Sequence, residues 1–147
     1  MFDEKDLMKN PFQTNKKFQE NMMDLMKEES EFERIVKLLT IPAKSGIYLS
    51  KIDIKRIGYT IGVDVPVRER REMLKDIFYY SKQMNAMETF LDNLKKFVED
   101  KIYQYRELSE SFPKTANIIQ EWINKAENLI RLIERMKNEL KTLGNIY

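Results

Sequence analysis

Apolar side chains along this chain recur in steps of three and four, the spacing that gathers them on one face of an α-helix. Between Lys16 and Leu39 the stripe runs Phe18, Met22, Leu25, then Phe32, Val36 and Leu39, with Glu29 in the interrupted position. That predicts a helix over 16–39, bent near Glu28-Glu29-Ser30. Pro42 and Gly46 mark residues 40–49 as a connector. Ser50 and Asp53 have the spacing of a capping box, and Ile54, Ile57 and Ile61 form one face of a short helix. Gly62 stands where a left-handed residue would end it. Asp64 is expected to cap the next helix, with Pro66 in its first turn and Met73, Leu74, Ile77 and Phe78 on its core face. Ser81 to Asn85 should break that helix, Asn85 and Glu88 forming a new cap pair.

From Met87 the pattern becomes heptad-like: Met87, Leu91, Leu94, Val98, Lys101, Tyr105, Leu108 and Phe112, with Lys101 as its one polar position. Pro113 separates this helix from the last, where Ile119, Trp122, Ala126, Leu129, Ile133, Met136, Leu140 and Leu143 alternate steps of 3 and 4 without a break. This is a coiled-coil-type seam. Ile118, Ile123, Ile130 and Leu132 widen it, so the helix should contact more than one neighbour. A short link makes the two long helices antiparallel. The expected fold is all-α, a helical bundle built on a long antiparallel C-terminal α-hairpin with shorter helices packed against it. Residues 1–14 read as a flexible arm and 15–147 as a single helical domain.

Composition narrows the chemistry. The 147 residues contain no His and no Cys, which removes imidazole general bases, thiolate nucleophiles, disulfides and the commonest transition-metal ligands. No catalytic residue, cofactor or metal site is expected. No segment approaches the roughly 20 apolar residues of a membrane span, and the acidic N-terminus lacks the features of a signal peptide, so the expectation is a cytoplasmic protein with no membrane partner. The net charge of +2 is unevenly spread. Residues 1–42 carry 7 basic and 9 acidic side chains, residues 43–85 carry 9 and 5, and residues 86–147 carry 10 of each.

The basic excess is therefore central, in Lys55, Arg56, Arg68, Arg70, Arg71 and Lys75. These are candidate polyanion contacts. Arginines near a helix N-terminus are disfavoured by the helix dipole, so helix stability does not account for them. Glu69 and Glu72 are interleaved, however, which also fits an ordinary solvated face. Changing Arg68, Arg70 and Arg71 to Ala is expected to leave the fold intact. Ile54 to Leu74 superficially resembles a helix-turn-helix, with Gly58, Gly62 and Val63 in the appropriate places. It departs from that pattern at Arg68 and Arg71, where the second helix should be apolar.

Met22, Met23 and Met26 form an adaptable apolar face suited to a partner or to core packing. Tyr79, Tyr80, Tyr103, Tyr105 and Trp122 offer stacking surfaces, although aromatic residues on such helices commonly serve core and rim. Glu28 with Glu31, Glu69 with Glu72, and Glu107 with Glu110 have the one-turn spacing of the carboxylate pairs that hold Mg²⁺ in all-α nucleotide hydrolases, but no second acidic motif accompanies them. The expected function is a non-enzymatic helical interaction protein, an adaptor, small chaperone or assembly subunit. It would bind a protein partner, or a second copy in a homodimer, through apolar helix faces. The alternatives are a small helical nucleic-acid-binding subunit and, more distantly, a Mg-dependent nucleotide hydrolase.

Overall fold

Phe32, Ile35, Val36 and Leu39 are all buried, at the i, i+3, i+4, i+7 spacing of one helical face. They belong to the first helix, α1, seen over residues 31–40 of a computed structural model that describes residues 31–144. The predicted arm, the earlier part of the 16–39 helix and the Met22, Met23 and Met26 face lie outside the described residues. Every regular element among the described residues is helical. No helix among them is long and apolar enough to cross a membrane.

Pro42 cannot continue α1 and instead opens a one-turn helix, α2, Pro42–Ser45, which the sequence pattern did not reveal. Gly46 ends it at φ 75°, a left-handed conformation that Gly adopts without steric cost. The third helix, α3, is Lys51–Thr60, and its capping box is as expected: Ser50 Oγ accepts from the Asp53 amide while the Asp53 carboxylate accepts from the Ser50 amide. Gly62, at φ 79°, closes α3 with the paired bonds Val63 N–H to Gly58 O and Gly62 N–H to Tyr59 O.

The next helix, α4, is Arg70–Gln83, starting later than expected. Two side-chain preferences delay it. Val65 precedes a proline, which pushes its backbone out of the helical region. Val63 and Val65 then both reach the core from an extended segment, with Asp64 between them pointing to solvent. Asp64 caps nothing; it binds Lys55 Nζ at 3.0 Å and Tyr59 Oη at 3.2 Å. α4 breaks where predicted but by a different device. Asn85 is left-handed, at φ 57°, and Ala86 N–H bonds back to Ser81 O at 2.7 Å, so Asn85 closes α4 and does not cap the following helix.

The two longest helices are α5, Met87–Ser111, and α6, Ala116–Gly144, joined through Phe112 and a 3₁₀ turn at Pro113–Thr115. They form the expected antiparallel hairpin. Its direction and alignment show in the ion pairs between them: Glu88 with Lys141 at 3.4 Å, Asp92 with Lys137, and Lys95 with Glu134 at 2.5 Å. Phe90, Leu91, Leu94, Val98 and Ile102 of α5 face Ile119, Ile123, Ala126, Leu129, Ile133 and Met136 of α6 in the core. The shorter helices complete it. Phe32 of α1 stacks on Phe78 of α4, centroids 3.8 Å apart, and lies 5.8 Å from the ring of Phe90.

Candidate functional site

The central cations come first, because the sequence singles them out. Four of the six are engaged within the chain. Lys55 pairs with Asp64, raising the lysine pKa and, together with the Tyr59 hydroxyl, lowering that of the carboxylate. Arg68 Nη2 lies 2.5 Å from both Asp76 oxygens. Lys75 reaches Glu33 of α1 at 3.1 Å. Arg70 donates to Thr40 O and Leu49 O, each at 3.1 Å, and its guanidinium lies over the Tyr48 ring at 4.9 Å. Thr40 is the last residue of α1, whose final carbonyls have no partner within the helix. Arg70 therefore closes the C-terminus of α1 from the N-terminus of α4. That contact accounts for an arginine at a dipole-disfavoured position, and it makes Arg70 unlike the replaceable surface residue expected from sequence. Arg56 and Arg71 are exposed and make no ion pair among the described residues.

Tyr79 and Tyr80 are exposed and meet edge to face, centroids 5.6 Å apart. Glu69 and Glu110 are exposed, and no group of three or more carboxylates among the described residues is arranged to hold a metal ion.

The other notable region is the closed end of the hairpin. The predicted seam requires Trp122, Leu108 and Phe112 to be interior, yet they are 38%, 42% and 59% exposed. Moving from Met136 toward the start of α6, the buried stripe passes to Ile123 and turns Trp122 outward. Ile118 stands beside it, 55% exposed. Near the connection, α5 and α6 thus hold their large side chains apart from the common core. Between them is a cavity of about 330 Å³ lined by Leu108, Phe112, Thr115, Ile118, Ile119 and Trp122.

Its position is fixed from below. Tyr105 Oη donates to Gly46 O at 2.5 Å, and its ring lies 5.7 Å from that of Trp122. Burial raises the Tyr105 pKa, so the phenol stays protonated and keeps donating. Gly46 packs so tightly on α6 that a β-carbon there would sit 2.3 Å from Trp122 O. Lys125 Nζ reaches Ala43 O at 2.8 Å, a second tie between α2 and α6. The polar side chain lining the cavity, Thr115, donates its hydroxyl proton to Phe112 O at 2.8 Å. What the walls present is hydrocarbon and aromatic surface.

This chain matches no family model, no curated protein and no solved structure. Its functional reading therefore rests on the geometry of the chain itself. The sequence reading named Trp122 as a stacking residue, but it did not bring Leu108, Phe112 and Ile118 together with it. The signal available was the pair of exposed flanks, Ile118 and Phe112, on either side of Pro113.

Proposed function

We propose that this chain is a non-enzymatic helical interaction protein, an adaptor, small chaperone or assembly subunit, that holds an apolar segment of another protein at the closed end of its α5–α6 hairpin. The observation that carries this reading is the apolar cavity between Leu108, Phe112, Ile118 and Trp122, with those four large side chains exposed together. Contiguous exposed apolar surface is what soluble chains cover with a partner. Its walls supply contact area without directional polar groups, which suits docking better than positioning a reactive substrate. Binding of nucleic acid through the central cations draws less support, because Lys55, Arg68, Arg70 and Lys75 are already engaged within the chain.

Phe112 and Ile118 are exposed enough to be replaced without opening the core. A pull-down from native lysate comparing the unaltered chain with Phe112→Asp and Ile118→Asp tests the reading. Both variants should keep their circular dichroism and lose a specifically retained protein. Retention of the same proteins by all three chains would overturn it. Light scattering on the isolated chain separates the two kinds of partner, because a mass rising with concentration above 17.7 kDa assigns the surface to a second copy.

A further inference from the structure

One side chain holds both ends of the segment that carries α2. Arg70 donates from Nη1 to Leu49 O and from Nη2 to Thr40 O, each at 3.1 Å. The two nitrogens belong to one planar guanidinium, so the two carbonyls are held side by side. Residues 40–49 are therefore a closed loop whose ends are drawn together, as in an Ω-loop. The loop is packed within itself. Ile47 and Leu49 are buried, and the buried Ser45 hydroxyl donates to Ile47 O at 3.1 Å and accepts from the Ile47 amide at 3.3 Å.

The middle of the loop is tied to one wall of the hairpin-tip cavity. Gly46 lies directly on the Trp122 backbone, and its carbonyl accepts from Tyr105 Oη, whose ring in turn meets the Trp122 ring. Lys125 Nζ reaches Ala43 O, one turn further along α6. Where the loop sits thus decides where the Trp122 side chain is held, and Arg70 gathers the ends of that loop. Arg70 does not itself line the cavity. Close-packed contacts pass a displacement on because the interior has little free volume to absorb it.

We propose that Arg70 is a positioning residue for the tip cavity, acting on Trp122 through the 40–49 loop. Release of the loop ends lets Gly46 lift from α6, withdraws the acceptor of the Tyr105 hydroxyl and lets the indole turn toward solvent. This deepens the docking function proposed above, since it says what keeps that cavity in shape. Its test uses no partner, so its failure leaves the docking function standing.

Trp122 is the chain's one tryptophan, so tryptophan emission from the full chain reports its surroundings alone. The readings are emission wavelength and quenching by acrylamide, taken where circular dichroism shows every variant fully folded. In Arg70→Ala the emission should move to the red and acrylamide should quench it more steeply than in the unaltered chain. Tyr105→Phe keeps a ring against Trp122 but releases Gly46 O, and should move both readings in the same direction. Arg70→Lys should give a smaller shift, because an ammonium does not span two carbonyls as a guanidinium does, and it carries the test if Arg70→Ala does not fold. Gly62→Ala is the control for simple loss of stability. Its added carbon meets open space beyond the end of α3 and touches nothing in the loop, so both readings should match the unaltered chain. Unchanged readings in the folded Arg70 variants would overturn the proposal. An equal red shift in Gly62→Ala would overturn it too, by reducing the effect to general loosening of the fold.

Discussion

Replacing Arg70 with Ala separates a structural arginine from its exposed neighbour. The substitution removes two hydrogen bonds of 3.1 Å, to Thr40 O and Leu49 O, and the contact with the Tyr48 ring. Hydrogen bonds involving a charged group contribute about 1.5–3 kcal/mol each when well shielded. Both carbonyls here are only partly buried, and water will take some of the vacated positions, so about 1 kcal/mol each is the appropriate scale. The cation–π contact at an exposed ring adds about 0.5–1 kcal/mol. The expected loss is roughly 2–3 kcal/mol, measured as a fall in the urea midpoint at constant slope. Arg71, one residue on and exposed, should change stability by no more than about 0.5 kcal/mol when made Ala. Arg70→Lys should recover only part of the loss, because an ammonium does not span two carbonyls as a planar guanidinium does. Equal, small effects at 70 and 71 would refute the role assigned to Arg70.

Two glycines in left-handed conformations should respond differently to Ala. Gly62→Ala meets open space and should cost about 1–2 kcal/mol of backbone strain, whereas Gly46→Ala also strikes the Trp122 carbonyl and should cost at least about 3 kcal/mol in the same melts. Leu129, 1% exposed at the middle of α6, should cost ~2–5 kcal/mol as Ala, and a loss below ~1 kcal/mol would place it outside a packed core. Lys95 lowers the pKa of Glu134 below its usual 4.5. A depressed carboxylate stabilises the fold above its unfolded pKa and loses that contribution as pH falls through the folded value. The stability gap between the unaltered chain and Glu134→Gln should therefore be full at pH 7 and close below about pH 4.5, as followed by thermal melts at stepped pH.

Helices were legible wherever one face is buried from end to end, because burial imposes its period on the sequence. The hairpin, the capping box at Ser50 and the glycine closure of α3 all rest on local signals and are present as read. Elements governed by distant groups were not legible. The start of α4 slipped from Pro66 to Arg70 because Val63 and Val65 are drawn into the core by helices elsewhere in the chain. The task of Arg70 depends on carbonyls 30 and 21 residues away, and no spacing rule encodes them. The apolar tip was hidden by the heptad itself. Leu108, Phe112 and Trp122 occupy seam positions on paper, but near the connection the buried face of α6 turns to Ile123 and leaves them outward.

The order of charges along the hairpin carries a consequence for how its two arms find each other. Toward the open end, α5 presents Glu88, Asp92 and Lys95, and α6 answers with Lys141, Lys137 and Glu134. Apolar seams of similar residues tolerate sliding, since one leucine fits much as another does. The charges do not. Slipping α6 by a turn of three residues in one direction sets Lys95 against Lys137; in the other it sets Asp92 against Glu134 and Lys95 against Arg131. Each exposed pair adds little to stability in the correct alignment. Their combined effect is to penalise the misaligned hairpins, so that surface ions of small individual worth act as an address for one zippering of the chain.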